Sequence, residues 1–189
     1  MMKEDIKKAA QILREGGIVA HPTDTCYGLA VDVQNEKALK KVYNSKKMAL
    51  DKPISVLVRS IEEAREYGEF SELAERLARE FWPGALTLVV PRRGGKDFVG
   101  LRVIDEPITN ALLEEFGGPV TTTSANLSGE ATPFNAFDIT AQVDFVLDGG
   151  PLEEYGKAST VIKVEGEEAT VLRWGALDEI GDSLDYRGN

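Results

Sequence analysis

Two segments carry most of the side chains able to hold a small polar ligand. The first runs His21-Pro22-Thr23-Asp24-Thr25-Cys26-Tyr27-Gly28. Two threonine hydroxyls and a carboxylate follow a short apolar run and a proline, the place where α/β chains end a strand and present loop groups to a ligand. The same residues also make an ordinary polar turn, with Asp24 and the hydroxyls bonding local backbone, and by residue type alone that plainer reading leads. The second runs Thr121-Thr122-Thr123-Ser124-Ala125-Asn126-Leu127-Ser128-Gly129, with five hydroxyls and one amide. Neutral donors at this density can hold carboxylate or phosphate oxygens without adding charge. A turn rich in serine and threonine accounts for them equally well.

A third segment, Ser45-Lys46-Lys47-Met48-Ala49-Leu50-Asp51-Lys52-Pro53, offers mobile cations suited to phosphate. Unaided, it reads as the solvated C-terminus of a helix, where cations are favoured anyway. In Phe81-Trp82-Pro83-Gly84-Ala85-Leu86-Thr87, Trp82 reads as core and Thr87 is the polar member of an otherwise apolar strand. Arg92-Arg93-Gly94-Gly95-Lys96 matches neither a phosphate loop nor a dinucleotide fingerprint and reads as a basic hairpin tip.

Composition narrows the chemistry. His21 is the only histidine and Cys26 the only cysteine. An intramolecular disulfide, a cysteine metal cluster, a multi-histidine metal site and a serine triad built on a second histidine are set aside. Both residues read as packed at a strand end rather than as base or nucleophile. With 22 basic and 32 acidic residues the net charge is −10, which speaks against broad nucleic-acid binding and leaves room for a local basic groove. The charged N-terminus does not read as a signal peptide, no stretch is apolar enough to span a membrane, and a cytoplasmic location is expected.

The elements that must position these residues follow from periodicity. Ile6, Ala9, Ala10 and Leu13 predict a helix over 3–15, stopped by Gly16-Gly17. Strands are expected at Ile18–His21, Tyr27–Val33, Ile54–Val58, Leu86–Val90, Phe98–Val103, Val120–Thr123, Phe145–Leu147, Thr160–Val164 and Thr170–Arg173, the last two as a hairpin turning at 165–167. Helices are expected after an Asn35 cap, near 60–67 and 71–81, and over Ile108–Phe116 closed by Gly117-Gly118. Without strict alternation, the mixture predicts a single α/β domain, a mixed twisted sheet with packed helices. The domain is read as 1–181, with 182–189 a frayed tail.

Taken together, these segments resemble the YrdC-type threonylcarbamoyl-adenylate synthases. The resemblance rests on PTDTCYGL at 22–29, Lys46 with KPISVLV at 52–58, FWPGALTLVV at 81–90, GLRV at 100–103, TSANLSG at 123–129, DGGP at 148–151, STVI at 159–162 and LRWG at 172–175. Each motif is weak alone; eight in order are specific. The resemblance implies the short, single-domain form, with a deep concave cleft. It implies formation of threonylcarbamoyl-AMP and pyrophosphate from L-threonine, bicarbonate or CO2, and ATP. A partner transferase would then modify tRNA, and magnesium would accompany ATP without a protein cage. An RNA-binding or carbamoyl-adenylating paralogue is the alternative.

By the same resemblance Lys46 faces the ATP phosphates as the catalytic residue. Pro83, Asn126, Thr132 and Arg173 join it in binding ATP. Thr23, Thr25, Ser55, Thr87, Arg102, Ser124 and Ser159 are assigned to threonine. The family commonly has Lys-x-Arg in the third segment, and the arginine position here is Met48. A thioether cannot reproduce a guanidinium's two-pronged grip on phosphate, a role left to Lys47 or Lys52.

Overall fold

The computed structural model describes residues 2–49, 53–152, 156–178 and 180. The expected tail at 182–189 and Lys52 lie outside them. Helix α1 (Met2–Arg14) buries Ala9, Ala10 and Leu13, and ends where Gly16 takes a φ of 76°, which glycine adopts without steric cost. Strands β1 (Val19–His21) and β2 (Gly28–Ala30) form an antiparallel pair around the PTDT turn. Asn35 caps α2 (Glu36–Ser45), its side chain accepting from the Lys37 and Ala38 amides. After β3 (Ser55–Leu57), Ser60 and Ser71 cap α3 (Ile61–Tyr67) and α4 (Glu72–Phe81). Strands β4 (Leu86–Pro91) and β5 (Phe98–Arg102) make the hairpin with the basic tip. Helix α5 (Pro107–Phe116) closes at Gly117, φ 84°. Strands β6 (Val120–Thr122), β7 (Phe145–Val146), β8 (Thr160–Glu165) and β9 (Glu168–Arg173) complete the order, the last two joined by the two-residue turn Gly166-Glu167.

The strands divide into two mixed sheets rather than one. One has the order β2-β1-β7, the other β6-β3-β5-β4-β8-β9. Single bridges, Gly28↔Ser124 and Asp32↔Val120, link them. That is why β2 is shorter than the expected Tyr27–Val33: on one side Tyr27 donates its amide to Pro133 O at 2.9 Å and leaves the ladder.

Alternation sets the two faces of the six-stranded sheet apart. Leu86, Leu88, Val90, Val99, Leu101, Ile162 and Val164 pack with Leu73, Leu77 and Trp82. Trp82 is core, as its type predicts, with its indole N–H donating to Leu86 O at 2.7 Å. The opposite face, carrying Thr87, Gly100, Arg102 and Ser159, is where polar groups are left over.

Candidate active site

That polar face forms the floor of a pocket of about 260 Å³. Residues two apart on neighbouring strands line it together: Thr87 with Val89, Gly100 with Arg102, Ser159 with Val161. Ser55 enters from β3, Arg173 from the end of β9, and Thr122, Thr123 and Ser124 from the end of β6. Thr23, Cys26 and Gly28 close it from the three-stranded sheet. Thr87, odd in an apolar strand, sits on the pocket side of the pleat. Gly100 is required by close approach, because a Cβ there would meet Ser55 Oγ at 2.7 Å.

Arg102 organises the near wall. Its Nε donates to Gly84 O at 3.0 Å, Nη1 to Thr25 Oγ1 at 3.0 Å and Nη2 to Asp24 Oδ1 at 2.5 Å. The ion pair is nearly dry, with side chains 5 % and 8 % exposed. Burial pushes the Asp24 carboxyl up and the Arg102 guanidinium pulls it down, with burial the larger effect. Asp24 Oδ2 is buried without a hydrogen-bond partner. Thr23 Oγ1 donates to Cys26 O at 2.6 Å and accepts the Thr25 and Cys26 amides at 3.1 and 3.0 Å, so the PTDT turn is tied up locally as well as lining the pocket.

On the far wall Arg173 Nη2 donates to Ser159 O at 2.8 Å and to Ser159 Oγ at 3.2 Å, and Ser159 Oγ lies 2.9 Å from Thr87 Oγ1. Thr23, Ser55, Thr87, Arg102, Ser124, Ser159 and Arg173 thus all line one pocket.

Five of the implied residues do not line the pocket. Lys46 is buried, and its ammonium donates to the carbonyl oxygens of Ser124 and, at 2.8 Å, of Asn126. It pins the SANLSG loop instead of facing the cavity. Asn126 donates its amide to Glu130 O at 2.7 Å, which shapes the loop beyond the pocket. Thr25 stands behind Arg102 as its hydroxyl partner. Pro83 is exposed after a cis Trp82–Pro83 bond, and Thr132 is half-buried outside the lining. Met48 is half-buried and Lys47 exposed, the latter at a left-handed φ of 49°.

Residue types alone missed Asp24 as the partner of Arg102, because the pairing joins positions 78 apart in sequence. They also missed Tyr27, whose hydroxyl accepts the Gly149 amide at 3.0 Å and lies 2.8 Å from Gly150 O. That contact ties PTDTCYGL to the DGG turn, and burial pushes the phenol up to about 12. His21 is packed at its strand end as expected. Burial holds its imidazole down at about 4, and Nδ1 lies 2.9 Å from Thr109 Oγ1. Cys26 lines the pocket with its thiol pushed up by burial.

Comparison with known proteins decides the family. The model of the Sua5–YciO–YrdC family, described as "Telomere recombination", matches residues 11–175. The chain belongs to this family. A Methanocaldococcus jannaschii protein provisionally named threonylcarbamoyl-AMP synthase is 37 % identical, over 93 % of this chain and 89 % of its own length. The Bacillus subtilis threonylcarbamoyl-AMP synthase is 36 % identical, over 91 % of this chain and 54 % of its own. Among solved structures, Pyrococcus abyssi Sua5 complexed with L-threonine superposes with a TM-score of 0.84 at 35 % identity, covering 90 % of this chain and 54 % of Sua5. Escherichia coli YciO superposes with a TM-score of 0.80 at 28 % identity, covering 93 % of this chain and 90 % of YciO. The Sua5–YciO–YrdC chain described here therefore spans about half the length of the Bacillus and Pyrococcus proteins and nearly all of the other two.

Proposed function

We propose that this family member is a threonylcarbamoyl-AMP synthase, joining L-threonine, CO2 from bicarbonate, and ATP. The carrying observation is a pocket where strand-end hydroxyls surround a buried guanidinium and no ready base lies among the described lining residues. Among the described lining residues the titratable groups are Cys26, Arg102 and Arg173, and the thiol is pushed up by burial. This inventory suits a reaction whose substrate supplies its own nucleophile. The threonine amine adds CO2 and loses a proton to give a carbamate. A carbamate oxygen attacks the α-phosphorus, and pyrophosphate leaves. Catalysis then rests on placement and neutral or cationic donors. Arg102, preset by Asp24 and Thr25, is positioned to hold an anionic group. Ser55, Thr87, Ser124 and Ser159 offer hydroxyls to the amino acid, and Thr23 holds the PTDT turn beside it through its own hydroxyl. Lys46 and Asn126 act by shaping the SANLSG loop against the nucleotide, with Pro83, Thr132 and Arg173 at its periphery.

Magnesium accompanies ATP in this reading. Among the described residues no three His, Cys, Asp or Glu side chains cluster, and Asp24 is already engaged by Arg102. In this reading the ion is carried by triphosphate oxygens and water. In this reading a transferase partner that modifies tRNA takes the product, and the protein works in the cytoplasm. No helix among the described residues is long and apolar enough to cross a membrane. The test is pyrophosphate release by the purified chain, expected only with L-threonine and bicarbonate both present.

Met48 favours a second reading, a member with altered substrate, as the likeness to YciO also allows. Met48→Arg should then tighten ATP binding measurably by calorimetry; unchanged affinity points to the synthase reading. RNA recognition predicts a steep salt dependence of RNA affinity.

A further inference from the structure

The single histidine is buried beside the pocket, and its hydrogens can be counted. His21 and Thr109 are both fully buried. Thr109 Oγ1 donates to Pro22 O at 2.6 Å. His21 Nδ1 lies 2.9 Å from Thr109 Oγ1 and 3.1 Å from Pro22 O. The Thr109 hydrogen is spent on Pro22 O, so the imidazole must supply the hydrogen for its own two contacts. A neutral imidazole has one, and burial keeps this ring neutral. Nδ1 therefore carries it, and Nε2 is left as a bare acceptor. Nε2 is buried without a hydrogen-bond partner among the described residues, a costly state for a polar atom.

Register sets what Nε2 faces. His21 pairs with Gly28 across β1 and β2. A Cβ on Gly28 would lie 3.1 Å from His21 Nε2 and 3.1 Å from Thr122 Oγ1. The missing side chain leaves one gap bordered by both atoms, and Gly28 and Thr122 line the pocket. No carboxylate stands among the described lining residues, and arginine donates and never accepts. A ligand amine in this pocket therefore needs an acceptor made from a hydroxyl or a backbone carbonyl.

We infer that His21 is a positioning residue: its Nε2 accepts the hydrogen bond of the Thr122 hydroxyl across the Gly28 gap and leaves Thr122 Oγ1 as an acceptor for an N–H of the ligand's amine. His21 neither touches the ligand nor moves a proton. Thr109 sets the tautomer, His21 sets the hydroxyl, and Thr122 reads the amine. The amine is that of L-threonine, and the inference rests on the proposed function only for this ligand.

Nitrogen-15 NMR reads the protein half directly, because the chain has one imidazole. Nδ1 should be the protonated nitrogen and Nε2 the bare one. Thr122→Val should move the Nε2 signal and leave Nδ1 in place. A hydrogen on Nε2, or an Nε2 signal indifferent to Thr122→Val, would overturn the inference whatever the protein binds. Calorimetry reads the ligand half, with L-threonine and with 2,3-dihydroxybutanoate, its analogue bearing a hydroxyl in place of the amine. Thr122→Val and His21→Phe should each weaken L-threonine on the order of fivefold. The double variant should lose no more than either single one, and the analogue should bind all of them alike. Additive losses would end the positioning role, and equal weakening of both ligands, or of neither, would end the amine acceptor. Thr122→Val carries both measurements should His21→Phe not fold. No L-threonine binding by the wild type, with the NMR pattern as expected, would reject the proposed function and leave the His21–Thr122 link in place.

Discussion

Replacing Arg102 by methionine would leave Asp24, its side chain 8 % exposed, without the cation that stands 2.5 Å from Oδ1. It would also remove donors at 3.0 Å from Thr25 Oγ1 and from Gly84 O. Removing one member of a buried pair costs about 3–5 kcal/mol, much of it the burden of an uncompensated charge. The exposure left to Asp24 puts Arg102→Met near the lower end, about 3 kcal/mol at neutral pH. The pH dependence follows from the Asp24 carboxyl, which burial already holds above its ordinary value and Arg102 restrains. Without Arg102 the folded-state pKa rises further. A carboxyl raised on folding contributes stability that is full below its unfolded pKa and lost as pH rises through the folded one. The deficit of the variant should therefore shrink between about pH 7.5 and about pH 5.5, and Asp24→Asn should recover most of it. Urea unfolding of the wild type, both single variants and the double variant at those two pH values measures this. A deficit below about 1 kcal/mol at the higher pH, the range of an exposed pair, or one that grows on acidification, would refute a buried, burial-dominated pair.

Lys46→Met leaves the carbonyls of Ser124 and Asn126 without their donor. It should destabilise the loop by about 1.5–3 kcal/mol, seen as faster amide exchange at Ala125 and Leu127, with weakened ATP binding. Gly100→Ala places a methyl 2.7 Å from Ser55 Oγ; thermal unfolding should show a cost of about 1–3 kcal/mol from overpacking, with a raised KM for L-threonine. His21, held down at about 4 by burial, contributes stability that is present above its unfolded pKa and lost as pH falls toward the folded one. The single imidazole should give no proton-NMR titration step between about pH 8 and about pH 5.5, and a step near its ordinary value would show it to be solvated.

Much of the architecture was legible because local signals agreed with the fold. Asn35, Gly16 and Gly117 end or start helices where their backbone chemistry demands. The apolar strands β4 and β5 fall where periodicity puts them. The division into two sheets was not legible, since it depends on single bridges between Gly28 and Ser124 and between Asp32 and Val120, far apart in sequence. Within the site, order along the chain pointed to Thr87, Arg102, Ser159 and Arg173, and the pleat explains why Thr87 belongs there. What periodicity cannot carry is long-range pairing. Asp24 finds Arg102, Tyr27 finds Gly149, and Lys46 turns to the backbone of SANLSG only once the strands are assembled.

In the proposed reaction this pocket activates L-threonine's carbamate on ATP. The most direct measurement is pyrophosphate release by the purified chain with each substrate omitted in turn. Release that needs L-threonine, bicarbonate and ATP together, and falls away in Arg102→Met, is the result expected. Release indifferent to L-threonine or bicarbonate, or none with all three present, would contradict it.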